Sequence, residues 1–161
     1  MNNLEKLEDL ADQEGVEVIP YSFDSSKIKG LYCDNAIALS TSIETSTEKA
    51  CVLAEELGHH ETTSGDIIDQ SNAANRKQEA RARFWAYTRL ISLLDIVKTY
   101  KRGCHTLYDM AEHLDVTEEF LWDALQRYRS KYGTHTTIDN YTIYFEPSLC
   151  VYDSLSEKGS K

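Results

Sequence analysis

Leu53-Ala54-Glu55-Glu56-Leu57-Gly58-His59-His60 is the stretch from which the rest of the chain can be read. Ala50, Leu53, Ala54 and Leu57 recur at steps of three and four, the period of a helix with one apolar stripe. Just upstream, Thr45-Ser46-Thr47-Glu48 has the form of a capping box, in which a hydroxyl and a carboxylate satisfy the first amides of a helix. The helix is therefore expected to begin there and to run to about His60. Residues four apart on a helix differ by only ~40° in direction, so Glu55 and His59 can grip one ion together. Glu56 lies on the neighbouring flank, where it can reach a water on that ion. His60 points ~100° away from His59 and reads as a surface or supporting residue rather than a ligand.

This spacing is that of the zinc-binding H-E-x-x-H helix with its first histidine replaced by glutamate. A catalytic zinc takes three protein ligands and a water, so a third ligand must come from elsewhere. Glu79 is the candidate. It stands 20 residues after His59, at the start of a helix expected over roughly Arg76 to Ile91, in step with Ala82, Trp85, Ala86 and Leu90. A carboxylate aligned with an apolar stripe is costly to bury unless a cation meets it. Asp66 and Asp69 are next in line for the role.

Outward from this segment, Leu4, Leu7, Leu10 and Ala11 mark an amphipathic helix near residues 2 to 14, stopped around Gly15. Val16 to Ile19, ahead of Pro20, has β character, and Ile28 to Tyr32 and Ala36 to Leu39 flank Cys33-Asp34-Asn35 as the arms of a hairpin. Thr62-Thr63-Ser64-Gly65-Asp66 reads as a turn. Beyond the second motif helix, Ser92 and Asp95 cap a helix from Leu93 to about Lys101. Leu107 to Leu114 and Phe120 to Tyr128 are joined by Asp115-Val116-Thr117 in a helix-turn-helix outline. Thr136 to Ile138, Tyr141 to Phe145 and Leu149 to Tyr152 read as strands. Trp85 and Trp122, each on an apolar stripe, are expected in the core, as are most of the ten tyrosines. Tyr21 and Tyr87 are candidates for stabilising an oxyanion, and no spacing selects between them.

The chain has 161 residues, 41% hydrophobic and 27% charged, which suits one compact α+β domain over residues 1–152: a catalytic core at 15–100, a C-terminal helical pair with a hairpin at 103–152, and a polar tail at 153–161. No apolar run approaches the ~20 residues that span a bilayer, and the N-terminus lacks the basic-then-apolar pattern of a signal peptide, so a cytoplasmic location is expected. Seventeen Lys and Arg against 27 Asp and Glu leave a net charge of −10, which repels phosphate backbones and anionic lipid. The helix-turn-helix outline does not change this, because Glu118, Glu119 and Asp123 stand where a groove reader needs cationic or amide side chains. The basic group Arg76, Lys77, Arg81, Arg83 and Arg89 reads as a solvated helix face. Cys33, Cys51, Cys104 and Cys150 form no CxxC pair and read as reduced thiols. His105, His113 and His135 lie in no cluster.

Three segments together carry a resemblance to the ImmA/IrrE metallopeptidases. They are the hairpin Ile28-Lys29-Gly30-Leu31-Tyr32 to Ala36-Ile37-Ala38-Leu39, the stretch Leu53 to His60, and Lys77-Gln78-Glu79-Ala80-Arg81-Ala82-Arg83-Phe84-Trp85-Ala86. The chain is similar to the family over roughly residues 15 to 100, and its last third looks like the tail of the phage and mobile-element branch. The resemblance implies a gluzincin-like minimal metallopeptidase domain, with a small sheet beside the active site. Glu55, His59 and Glu79 would hold the metal, and Glu56 would be the general base. Two carboxylates and one imidazole make a harder, more anionic set than two imidazoles and one carboxylate. Zinc is the first expectation, with manganese or iron tolerated. The partner implied is a protein substrate, a helix-turn-helix repressor of a phage or integrated element. The competing reading is a catalytically degenerate module that binds such a partner stoichiometrically, as an anti-repressor.

Overall fold

The computed structural model describes residues 1–63 and 72–156. The chain is α+β and divides into two compact units, Met1–Leu90 and Ile91–Lys161. The division between them falls at Leu90, ten residues before the end of the core drawn from the sequence.

In the first unit, α1 (Asn3–Gln13) starts on a full capping box between Asn2 and Glu5 and buries Leu7 and Ala11. Gly15, at φ +70°, lets the chain turn out of the helix. Strands β1 (Glu17–Tyr21), β2 (Gly30–Cys33) and β3 (Ala36–Ser40) make a three-stranded sheet in the order β1-β3-β2. β1 runs through Pro20 rather than stopping at it, because β1 is an edge strand and a missing amide there breaks no ladder. β2 and β3 pair antiparallel through a two-residue turn, with Asp34 and Asn35 both at positive φ (47° and 60°). Behind the sheet, α2 (Ser46–Thr62) begins at Thr45, whose hydroxyl accepts from the Glu48 amide. The reciprocal half of the expected box is not made; the Glu48 carboxylate lies 3.7 Å from Lys29 Nζ instead. α2 outruns the expected end by two residues.

Helix α3 (Asn72–Leu90) starts four residues earlier than its apolar rhythm suggested. It packs on α2 with small residues buried on both helices, Ala54 and Gly58 on α2 and Ala82 and Ala86 on α3. A Cβ on Gly58 would fall 2.2 Å from the Ala82 carbonyl oxygen, so the two backbones touch and only glycine fits. Leu53 and Leu57 are sealed completely, at about 1.5–3 kcal/mol of transfer free energy each.

The second unit holds α4 (Leu93–Lys101), capped by Ser92 and Asp95 as expected, then α5 (Leu107–Leu114) and α6 (Glu118–Tyr132), with Asp115 left-handed (φ 55°) between them. A meander of β4 (His135–Ile138), β5 (Tyr141–Tyr144) and β6 (Cys150–Asp153) follows. Within this unit the buried Tyr128 of α6 donates its hydroxyl to the Ile91 carbonyl at 2.6 Å. Burial raises the proton affinity of that phenol, so the donor stays protonated. Trp122 corrects the expectation of core packing: it is 54% exposed. It stands on the rim of α6, while Phe120, Leu121, Ala124 and Tyr128 supply the buried stripe. Tyrosines divide likewise, with Tyr87 and Tyr128 buried and Tyr21, Tyr108, Tyr144 and Tyr152 exposed. No disulfide joins the four cysteines. The basic residues of α3 are exposed, as a solvated face should be.

Candidate metal centre

Helix α2 carries two histidines at its end, and its twist sends them to different neighbours. His59 faces α3, where its Nε2 lies 3.2 Å from Glu79 Oε1. Two donors bonded to one ion at ~2.0–2.2 Å, about a tetrahedral angle apart, are separated by roughly this distance. The Glu79 side chain is 55% exposed, so the expected burial of this carboxylate is not found. What singles it out is its contact with His59. Glu55, half-buried one turn before His59, lies close enough to Glu56 to raise its proton affinity. Glu55, His59 and Glu79 do not together bring three ligand atoms within 4.8 Å of one another; among the described residues Glu14, His60 and Glu61 do. Asp66 and Asp69 lie outside the described residues.

Glu56 is a strongly perturbed acid. Its carboxyl is pushed up to about 7, first by burial, then by the charges of Glu55 and Glu79, against a lowering hydrogen bond from the Tyr32 amide. That amide is available for a reason of register. Ser40 N–H donates to the Lys29 carbonyl at 2.8 Å, so bonded pairs alternate from there and the main-chain groups of Gly30 and Tyr32 point off the open edge of β2. Gly30 completes the fit: a Cβ there would stand 2.8 Å from Val52 Cγ1 and 3.0 Å from Glu56 Cγ. The strand lies directly on the glutamate because it has no side chain at that point. An acid tuned near neutrality beside a strand edge is equipped to take up and return a proton.

His60 faces the other way. Its Nδ1 is 2.8 Å from Tyr32 Oη, and its Nε2 is 3.8 Å from Glu14 Oε2. The Tyr32 hydroxyl also donates to Asn35 Oδ1 at 3.2 Å. The Tyr32 contact fixes the His60 ring with Nδ1 toward the phenol and Nε2 toward Glu14.

Tyr32, Gly30 and Glu14 were not singled out in the sequence. A hint existed for the first two, since strand alternation back from the Asp34-Asn35 turn puts Gly30 and Tyr32 on one face. Glu14 had no such signal. Of the two tyrosines considered for an oxyanion, Tyr87 is buried in α3 and Tyr21 packs edge-on against Phe23 at 4.8 Å. His105 stacks on Tyr100, and His135 contacts Thr134 and Tyr144.

An α+β unit in which two adjacent helices join a histidine and a glutamate, with a tuned carboxyl under a sheet edge, has the build of a small metallopeptidase domain. Residues 11–125 match the family model of the IrrE N-terminal-like domain, a peptidase family, and the chain belongs to that family. The family is one of metal-dependent peptidases. No curated protein matches the chain. Among the described residues no helix is long and apolar enough to cross a membrane.

Proposed function

We propose that this protein is a metal-dependent endopeptidase, with zinc the first choice of metal, that cuts a helix-turn-helix repressor of a phage or integrated element in the cytoplasm. The observation that carries the reading is the placement of Glu56: a carboxyl at about 7, held by the Tyr32 amide at the open edge of β2, beside the His59–Glu79 pair. The donor set fits a divalent ion in that one imidazole and one carboxylate already stand at ligand separation, with a second carboxylate, Glu55, one helical turn away. An ion held by Glu55, His59 and Glu79 supplies Lewis acidity toward a peptide carbonyl and a water.

The remaining steps belong to the chain's own groups. An extended segment of substrate adds to β2 through the outward-facing main-chain groups of Gly30 and the Tyr32 carbonyl, the Tyr32 amide being engaged by Glu56, which brings the substrate carbonyl alongside Glu56. Glu56 takes the proton of the attacking water and returns it to the leaving amine. The Tyr32 amide favours the charged form of Glu56 and holds it toward the strand edge.

A repressor encoded beside this chain, purified and mixed with it, tests the reading. A discrete pair of fragments that chelator prevents and zinc restores is expected. An intact repressor after prolonged incubation with the zinc-loaded protein would rule out this substrate.

A further inference from the structure

A second group of donors stands on the other side of α2 from the His59–Glu79 pair. Glu14, His60 and Glu61 bring three ligand atoms within 4.8 Å of one another. Glu14 is the C-cap of α1, and His60 and Glu61 lie in the last turn of α2, so the carbonyl ends of two helices add negative potential there. Among the described residues, no lysine or arginine pairs with Glu14 or Glu61. The contact of His60 Nδ1 with the Tyr32 hydroxyl, which also reaches Asn35, fixes the ring so that Nε2 faces the Glu14 carboxylate. A metal-binding histidine is characteristically oriented by a hydrogen bond on its other ring nitrogen, the role Tyr32 has here.

We propose that Glu14, His60 and Glu61 form a second divalent-cation site, distinct from the one assigned to Glu55, His59 and Glu79. One imidazole and two carboxylates suit a first-row ion of the zinc, cobalt or nickel type. Both carboxylates are exposed, so the ion is exchangeable. Bound there, it ties the end of α1 to the end of α2 and, through Tyr32, to the strand that lies on Glu56.

Equilibrium dialysis of the untagged, chelator-stripped chain against zinc alone tests the site. The wild-type chain should take two ions. Glu14→Gln, a conservative change at a side chain 45% exposed, should weaken the second ion at least tenfold, and His60→Ala should abolish it, leaving one ion. Tyr32→Phe should weaken the same ion about tenfold by freeing the ring. His59→Ala should remove the other ion and spare this one, so the two assignments fail separately. Zinc binding by Glu14→Gln and His60→Ala, both folded by circular dichroism, in the same number and with the same affinity as wild type would overturn the proposal. A single wild-type ion lost in His59→Ala but not in Glu14→Gln would overturn it too.

Discussion

His59 and His60 are neighbours in sequence, each contacts a glutamate, and they serve different regions of the first unit. His59 meets Glu79 across a helix pair packed so closely that a glycine is required at Gly58. His60 meets Glu14 and Tyr32, one on the end of a helix and one on an edge strand, across side chains rather than backbones. The first contact is positioned by helix–helix packing with no room to adjust; the second depends on a hydrogen-bond chain. The two regions should therefore respond differently to perturbation.

Glu56, which answers to both regions, yields the largest expected effect. Glu56→Gln keeps shape and metal but cannot shuttle a proton, so cleavage of a susceptible substrate should fall by about 10²–10⁴-fold, the usual worth of a positioned general base. Metal analysis and cleavage assays on the same preparation check it, and cleavage at the wild-type rate would take Glu56 out of the mechanism.

Gly58→Ala should break the His59 region selectively. The new methyl meets the Ala82 carbonyl, a backbone atom that cannot swing aside, so α2 and α3 must separate at a cost of about 3 kcal/mol, the upper range for overpacking. Denaturant melts give the loss. Zinc binding at His59 should weaken while the His60 region is spared, and an unaltered melting curve would mean the helices are less tightly apposed than the structure has them.

Without metal, the tuned carboxyl carries a stability cost with a definite sign. Unfolded Glu56 titrates near 4.5 and folded Glu56 near 7, so below pH 4.5 both states hold the proton and nothing is lost. As pH rises from 4.5 to 7 the unfolded chain releases a proton that the fold retains, and stability falls by up to about 3 kcal/mol. Glu56→Gln in chelator should thus be more stable than wild type at pH 8, with the advantage vanishing by pH 4. An equal advantage at both pH values would show that the gain is not electrostatic.

Tyr32→Phe should have the smallest effect, about 1 kcal/mol, because it removes one hydroxyl from the His60 region and leaves the main-chain bond to Glu56 in place. Thermal melts of the metal-free protein read it. A loss as large as that of Gly58→Ala would mean that the phenol, and not the helix contact, organises the unit.

Much of this was legible in the chain. Local chemistry placed α1 and α4 almost to the residue, because Asn2 and Ser92 act through bonds to their own neighbours, and it located the β2–β3 hairpin, although β2 starts two residues after the expected Ile28 and takes Cys33 out of the turn. The i, i+4 spacing of Glu55 and His59, and the aligned Glu79, pointed to the metal face because helix geometry is periodic. Trp122 shows where periodicity misleads: it marks a stripe but not how wide the covered part is, and the tryptophan falls on the rim.

What the sequence determined by itself is whatever depends on bonds and angles within one element: caps, turns, the direction each side chain leaves α2, and hence the separation of His59 from His60. What only the tertiary structure decided is what each of those directions meets. Gly30 and Tyr32 reach Glu56 because of strand register and the closeness of β2 to α2, and Glu14 reaches His60 because α1 ends beside α2. Those distances are set by the packing of whole elements, a sum over many side chains with no local signature at any one of them.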